Sequence, residues 1–408
     1  RGGGTNTRGM RVEDSAGENV SNTVEGMKKF PVLALLVAVT VTTTLVGCTD
    51  NATDQAAPTS EITTTTAPTS TSSVAPTTTS TTPANPELRT KVAQLMMVGV
   101  RNFDDALAAL EQGAGGIFIG SDTEAAILTT PGRDIAELRN RIGRPFAVSI
   151  DFEGGRVLRH PEVLGTFPSP RTMAKEKKPE EVRGMAYDMA TSLARHGITV
   201  DFAPVVDIDG AGLEVVGDRA FSDDPAVAAE YASAFAQGML DGGVMPVFKH
   251  FPGHGRASGD SHLGTVVTPP LNELQNFELV PYRSILATPG VGVMVGHMAT
   301  PGLGDGKTPS SINPAAYQLL RSGSYEGGRP FDGPVFTDDL SGMKAISNQL
   351  TPQDAAATAI IAGADQALWL TTDALLPAID TTMKRIAEGA LSEQDVFAKA
   401  ERVSHYQR

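Results

Sequence analysis

Of the 408 residues only one is cysteine, Cys48. That count excludes an intramolecular disulfide and any metal site built on paired thiolates. Clusters of basic residues are missing beyond the first thirty positions, and the formal net charge is −14. No nucleic-acid partner is expected, because such a partner needs a concentrated positive face. A comfortable membrane span is missing too. The apolar run from Phe30 to Val46 is diluted by Thr40 and Thr42-Thr43-Thr44, and it falls short of the ~20 apolar residues a span requires. Histidine is also scarce, at seven residues. Three of the seven lie in one short stretch, Lys249-His250-Phe251-Pro252-Gly253-His254-Gly255 followed by Asp260-Ser261-His262. Imidazoles and charges crowded onto a loop at a strand's end are what a polar active site needs.

The amino-terminal region reads as an address. Met27-Lys28-Lys29 opens a basic start, an apolar run follows, and Leu45-Val46-Gly47-Cys48 closes it. This is the layout of a secretory signal. Its ending resembles a bacterial lipobox, which implies a lipidated Cys48 as the mature terminus and attachment to the extracytoplasmic membrane face by a lipid anchor only. An uncleaved membrane anchor is the alternative. Residues 1–26 lie upstream of the start expected at Met27 and are left out of the fold; the signal and lipobox occupy 27–48. Residues 49–86 are almost entirely Thr, Ser, Ala and Pro. Such a segment has too few large apolar side chains to bury a core and is expected to be a disordered tether. As a flexible coil it reaches about 35 Å.

From Glu87 to Arg408 apolar runs alternate with helix-like segments. The expected strands are Leu95–Val100, Gly116–Ile119, Phe146–Ile150, Thr199–Val206, Val244–Phe248, Val291–Val295, Pro334–Phe336 and Gln366–Leu370. Glu180–His196, Pro225–Asp241, Asn272–Ala287 and Pro352–Ala362 read as helices between them. Continuous apolar strands indicate a parallel sheet covered on both faces. Eight βα units fit an α/β fold, a single (β/α)8 TIM-type barrel over 87–408. A doubly wound sheet is the alternative, weakened by the missing Gly-rich fingerprint after the first strand. At expected strand ends stand Asp151, Asp207, Lys249, His250, His297 (near the rim of a pocket) and Asp338. That is where barrels place their chemistry.

Four ordered motifs carry a resemblance. They are Asp151-Phe152-Glu153-Gly154-Gly155-Arg156-Val157-Leu158-Arg159, then Gly217-Asp218-Arg219-Ala220-Phe221 with Asp224-Pro225, then the Lys249–His262 stretch, and Thr337-Asp338-Asp339-Leu340. Together they resemble the bacterial β-N-acetylglucosaminidases of glycoside hydrolase family 3, over essentially residues 87–408. The resemblance implies a retaining, cofactor-free enzyme acting on cell-wall fragments that end in β-linked N-acetylglucosamine. It implies Asp338 as nucleophile in preference to Asp339, and His262 with Asp260 as the acid/base dyad. A carboxylate beside an imidazole holds its tautomer and favours the protonated ring. Gly255 and Gly259 are expected to give the dyad its freedom to turn. Asp151, Arg159, Arg219, Lys249 and His250 are implied to hydrogen-bond the sugar. Arg156 is equally open to an internal salt bridge or a ligand contact, His254 to bracing the loop, and Asp207 to ordering an arginine. Arg256 departs from the Asp or Asn common in the family and is expected to add positive charge on the leaving-group side. Thr337, where Ser is common, is a mild exchange.

Rival readings fit less well. His250-x-x-x-His254 has the spacing of two helical metal ligands, but Pro252 and Gly253 oppose a helix and no Glu follows His250, so no metal is expected. Gly259-Asp260-Ser261-His262 lacks a Gly-x-Ser-x-Gly elbow. A family 3 β-glucosidase typically takes its acid from a further domain, and none follows before Arg408. An inactive glycan-binding lipoprotein has no need of nucleophile and acid together. A phosphorylase working through the same groups is the remaining alternative, because an imidazole base repels an anion less than a carboxylate does.

Overall fold

The computed structural model describes residues 85–407. The expected signal, Cys48 and nearly all of the tether lie outside them. Eight strands form one parallel sheet: β1 (Met96–Gly99), β2 (Gly116–Ile119), β3 (Ala147–Ile150), β4 (Val200–Asp201), β5 (Met245–Phe251), β6 (Gly292–Val295), β7 (Val335–Thr337) and β8 (Ala367–Trp369). Each pairs with its sequence neighbour, and β8 returns to β1 with Met97 opposite Leu368. Between β7 and β8 a single bridge, Phe336 to Gln366, nearly closes the ring, supported by Thr337 N–H donating to Gln366 O at 3.1 Å. The result is an α/β fold with a nearly closed eight-stranded barrel of the TIM type.

The strands are apolar because both faces are covered. Inside the barrel Phe202 stacks on Phe118 at 6.0 Å and meets Phe336 edge-on at 5.3 Å. All three are essentially buried, and truncating one to alanine costs about 3–5 kcal/mol. Outside, the helix Pro179–Arg195 buries Val182, Ala186, Met189, Ala190 and Leu193, a stripe of helical period. It lies tightly against Pro225–Asp241, where a Cβ added to Gly238 would fall 2.2 Å from Arg183 O. Asp224 starts that second helix: its carboxylate accepts the Ala226 and Val227 N–H groups, and Pro225 occupies the first turn.

Three local departures from the sequence expectation have clear causes. The run Thr199–Val206 yields only the two-residue β4, because Pro204 cannot donate to the ladder; the chain rejoins the sheet at Val205 opposite Lys249. Strand β5 runs past Phe248 through Lys249 and His250 to Phe251, which pairs with Val295, so Lys249 and His250 belong to the strand and not to the loop. Asn272–Ala287 forms two short helices, Leu271–Leu274 and Tyr282–Ile285, with Pro281 between them. Among the described residues no helix is long and apolar enough to cross a membrane, and no His/Cys/Asp/Glu group has the arrangement of a metal site.

Candidate active site

At the carboxyl end of the barrel, two adjoining hollows of about 680 and 470 Å³ share Asp151, Arg159, His262, Asp338 and Met343. The larger is floored by Lys249 and His250 from the end of β5, with Glu153, Asp207 and Arg219 around them. These two neighbours are joined by a cis peptide, and both side chains line the same hollow. Lys249 Nζ lies 2.8 Å from Asp151 Oδ1 and 2.6 Å from Glu153 Oε1. His250 Nδ1 donates to Asp207 Oδ2 at 2.6 Å, and its Nε2 stands 3.9 Å from Asp338 Oδ2. Asp207 therefore orders a histidine, not an arginine. Its Oδ1 also accepts the His254 backbone N–H at 2.7 Å. Burial works to raise the Asp207 carboxyl, but the neighbouring imidazoles outweigh it and hold it below the usual range.

Glu153 is the centre that sequence reasoning passed over. Its side chain is fully buried and takes Arg219 in a bidentate pair, Nε to Oε2 and Nη2 to Oε1, both at 2.8 Å. With Lys249 also in contact, one carboxylate fixes two cations. Burial opposes its ionisation, yet Arg219 and Lys249 hold it well below the usual carboxylate range. Its signal was present in the sequence as the acid of Asp151-Phe152-Glu153-Gly154-Gly155. Gly154 and Gly155 have φ of 101° and 59°, and a Cβ at Gly154 would lie 2.2 Å from Pro168 O. Only glycine folds Glu153 back beneath the hollow. A second silent acid, Asp201 on β4, accepts the Phe152 N–H at 2.9 Å; burial pushes its carboxyl well up.

Asp338 and Asp339 are separated by what each carboxylate does. Asp339 accepts Ser341 N–H and Oγ–H and the Gly342 N–H, at 2.7–2.9 Å, and so shapes the turn after β7. Asp338 borders both hollows, and the one hydrogen bond its carboxylate makes among the described residues is from Asp339 N–H to Oδ1 at 2.9 Å. Burial opposes its charge, but His250 and then His297 keep it below the usual range. His297 itself lies beneath the floor, not at the rim. It is 1% exposed, its Nε2 donates to Asp339 O at 2.7 Å, and its Nδ1 accepts from Ser311 Oγ at 2.7 Å. Burial lowers its pKa, in keeping with a neutral ring.

Across the hollow from the β7 end, the long loop after β5 carries the expected dyad residues, Asp260 and His262. His262 Nδ1 donates to Asp260 Oδ1 at 2.6 Å, and the same oxygen accepts the His262 N–H at 2.9 Å. Nδ1 is thereby spent and Nε2 is left for proton exchange. Buried Ser261 anchors the tip, its carbonyl accepting the Ala345 N–H at 3.2 Å from the segment that follows Asp338. Arg159 reaches Ser121 Oγ at 2.7 Å and Asp151 at 3.5 Å. Arg156 makes the internal contact, donating to Asp218 at 2.8 Å and to Glu214 O at 2.6 Å. The His254 ring is buried and neither nitrogen has a hydrogen-bond partner among the described residues; its backbone N–H is the part that braces the loop. Arg256 does not add a charge to the leaving-group side, because its guanidinium is paired to buried Glu278. Nor does Gly255 confer freedom. A Cβ there would fall 1.6 Å from Ile208 O, so it is a contact glycine.

Comparison with known proteins agrees with this architecture. Residues 87–406 match the model of the glycosyl hydrolase family 3 N-terminal domain. The β-hexosaminidase LpqI of Mycobacterium tuberculosis is 47% identical over 319 residues, covering 78% of this chain and 81% of LpqI. A crystal structure of a family 3 glycosyl hydrolase from Mycobacterium smegmatis superposes with a TM-score of 0.76 at 47% identity, over 78% of this chain and 97% of that one. A family 3 β-N-acetylglucosaminidase from Paenibacillus superposes with a TM-score of 0.72 at 29% identity, over 78% of this chain and 62% of that one.

Proposed function

The chain belongs to glycosyl hydrolase family 3 and is a glycoside hydrolase, and from that premise we propose that it is a retaining β-N-acetylhexosaminidase releasing terminal β-linked N-acetylglucosamine. The observation that carries the reading is the pairing of an ionised carboxylate, Asp338, with the Asp260-held imidazole of His262 on one hollow. The names of the Mycobacterium and Paenibacillus relatives support the sugar. In the first step Asp338 Oδ bonds to the anomeric carbon, the glycosidic C–O bond breaks, and the leaving oxygen takes the proton of His262 Nε2. In the second step His262 Nε2 removes a proton from water, the water oxygen bonds to the anomeric carbon, and Asp338 departs. Two inversions give net retention. Asp151, Arg159, Arg219, Lys249 and His250 orient the sugar hydroxyls from the floor.

The test is release of nitrophenol from 4-nitrophenyl N-acetyl-β-glucosaminide, with labelling by a slow-reacting fluorinated sugar. Attachment at Asp338 is expected; attachment at Asp339 overturns the assignment, and no turnover of any N-acetylglucosaminide overturns the function. The natural substrate in this proposal is a peptidoglycan-derived fragment, in cell-wall turnover or recycling, met by an enzyme tethered through a lipid on Cys48. Incubation with purified cell-wall fragments tests the first point. A native mature terminus found by mass spectrometry at another residue, without lipid, refutes the second.

A further inference from the structure

The root of the loop that carries Asp260 and His262 is locked by contacts the mechanism does not require. Arg256 places Nε 2.7 Å from Glu278 Oε1 and Nη2 2.8 Å from Oε2, and its guanidinium lies 4.4 Å from the centre of the Phe277 ring. The Glu278 side chain is wholly buried. Two glycines seat the loop on this pair: a Cβ at Gly253 would fall 2.3 Å from Glu278 Cβ, and one at Gly210 would fall 2.7 Å from Arg256 Cγ. The platform is firm, since Tyr282, four residues beyond Glu278, packs edge-on against Phe251 of β5 at 5.2 Å. Past Arg256 the loop is held at separate points, by Ser258 N–H to Val267 O at 2.8 Å and by Ala345 N–H to Ser261 O at 3.2 Å. Added Cβ atoms at Gly259 and Gly264 meet nothing within 4 Å, so the glycines on either side of Asp260–Leu263 lie in open space.

We propose that the Arg256–Glu278 pair is a positioning latch, which fixes the root of the loop and so sets where His262 meets the leaving oxygen. The inference rests on the hexosaminidase reading above, and Arg256 acts through the dyad without touching substrate. A bidentate guanidinium fixes both distance and plane, and lysine does not reproduce that.

The experiment compares wild type with Arg256→Lys and with the double variant Arg256→Met/Glu278→Met, which removes both charges and leaves no buried carboxylate unpaired. Turnover is measured on N,N′-diacetylchitobiose and on an activated dinitrophenyl glycoside, and hydrogen exchange is followed over residues 257–266. Both variants are expected to lose about tenfold or more in kcat on the disaccharide and less than about threefold on the activated substrate, because only the poor leaving group needs a well-placed proton. Loop exchange is expected to rise at least about fivefold. Equal losses on both substrates, or exchange unchanged from wild type, overturn the latch. Wild type inactive on both substrates overturns the hexosaminidase reading instead, and the exchange measurement still decides whether the pair holds the loop.

Discussion

Replacing Glu153 by glutamine keeps shape and removes one charge, and its cost follows from the contacts. The carboxylate is fully buried and holds Arg219 through two hydrogen bonds and Lys249 at 2.6 Å. Lys249 is only 2% exposed and would keep Asp151 as its sole carboxylate partner. Removing one partner of a buried ion pair costs about 3–5 kcal/mol, because the other charge stays desolvated. With an unfolding entropy of about 2.1 cal/mol/K per residue over the folded domain, that loss lowers Tm by roughly 4–7 °C. The pH dependence has a definite sign. The folded pKa lies below the ordinary value of 4.5, so this stabilisation is fully present above about pH 4.5. It is lost as pH falls through the depressed folded value. Thermal melts of wild type and Glu153→Gln should differ by this amount at pH 7 and converge in strong acid. KM for the aryl glycoside should rise as the two cations lose their fixed geometry. A Tm within 1 °C of wild type at pH 7, or a gap equally wide at the lowest accessible pH, refutes the reasoning.

Three further outcomes are expected. His262→Ala should impair cleavage of diacetylchitobiose by orders of magnitude more than formation of the glycosyl-enzyme from an activated aryl substrate, with Asp260→Ala acting in the same direction; equal losses on the two count against the acid role. Asp339→Asn should disturb the turn that Ser341 and Gly342 complete and lower Tm by a few degrees, while fluorosugar labelling stays at Asp338. Lys399 is 5% exposed, donates to Ala364 O, and is lowered by burial to about 8. Holding it charged below that pH costs the fold about 3 kcal/mol. Lys399→Met should therefore raise Tm by a few degrees at pH 7, and the gain should fade as pH rises from 8 towards 10.5.

The barrel was legible because each strand is a continuous apolar run bounded by turn residues, a pattern forced by helices on one face and a packed interior on the other. Strand ends were less so. Pro204 stops β4 early, and polar Lys249 and His250 hid the extension of β5, since burial of a charge is possible only with partners far away in sequence. Those partners are what the chain could not display. Glu153 lies 66 residues from Arg219 and 96 from Lys249, yet these three form one unit. Likewise Arg256 read as a free charge because Glu278 stands 22 residues on, in a segment with no motif. Asp260 and His262 were implied by the family resemblance, and their contact is local, two residues apart.

The same pairings bear on which acceptor completes the reaction. Five cationic side chains border the two hollows, and each already faces a carboxylate. Lys249 is held by Asp151 and Glu153, Arg219 by Glu153, Arg159 by Asp151 at 3.5 Å, Arg156 by Asp218, and Arg101 by Asp105 at 3.5 Å. A site that recruits phosphate presents guanidinium or ammonium groups with donors unspent. Here the donors are shared with carboxylates, which suits the mixed donor and acceptor demands of neutral sugar hydroxyls. In the proposed glycosyl-enzyme Asp338 has lost its charge and no longer repels an anion, and among these five cations the buried donor left without a partner in the described residues is Arg159 Nε. We infer that the pairing of the other four cations favours water over phosphate as the second-step acceptor; a sugar 1-phosphate formed in phosphate buffer would overturn this and point to Arg159 as the group that holds the anion.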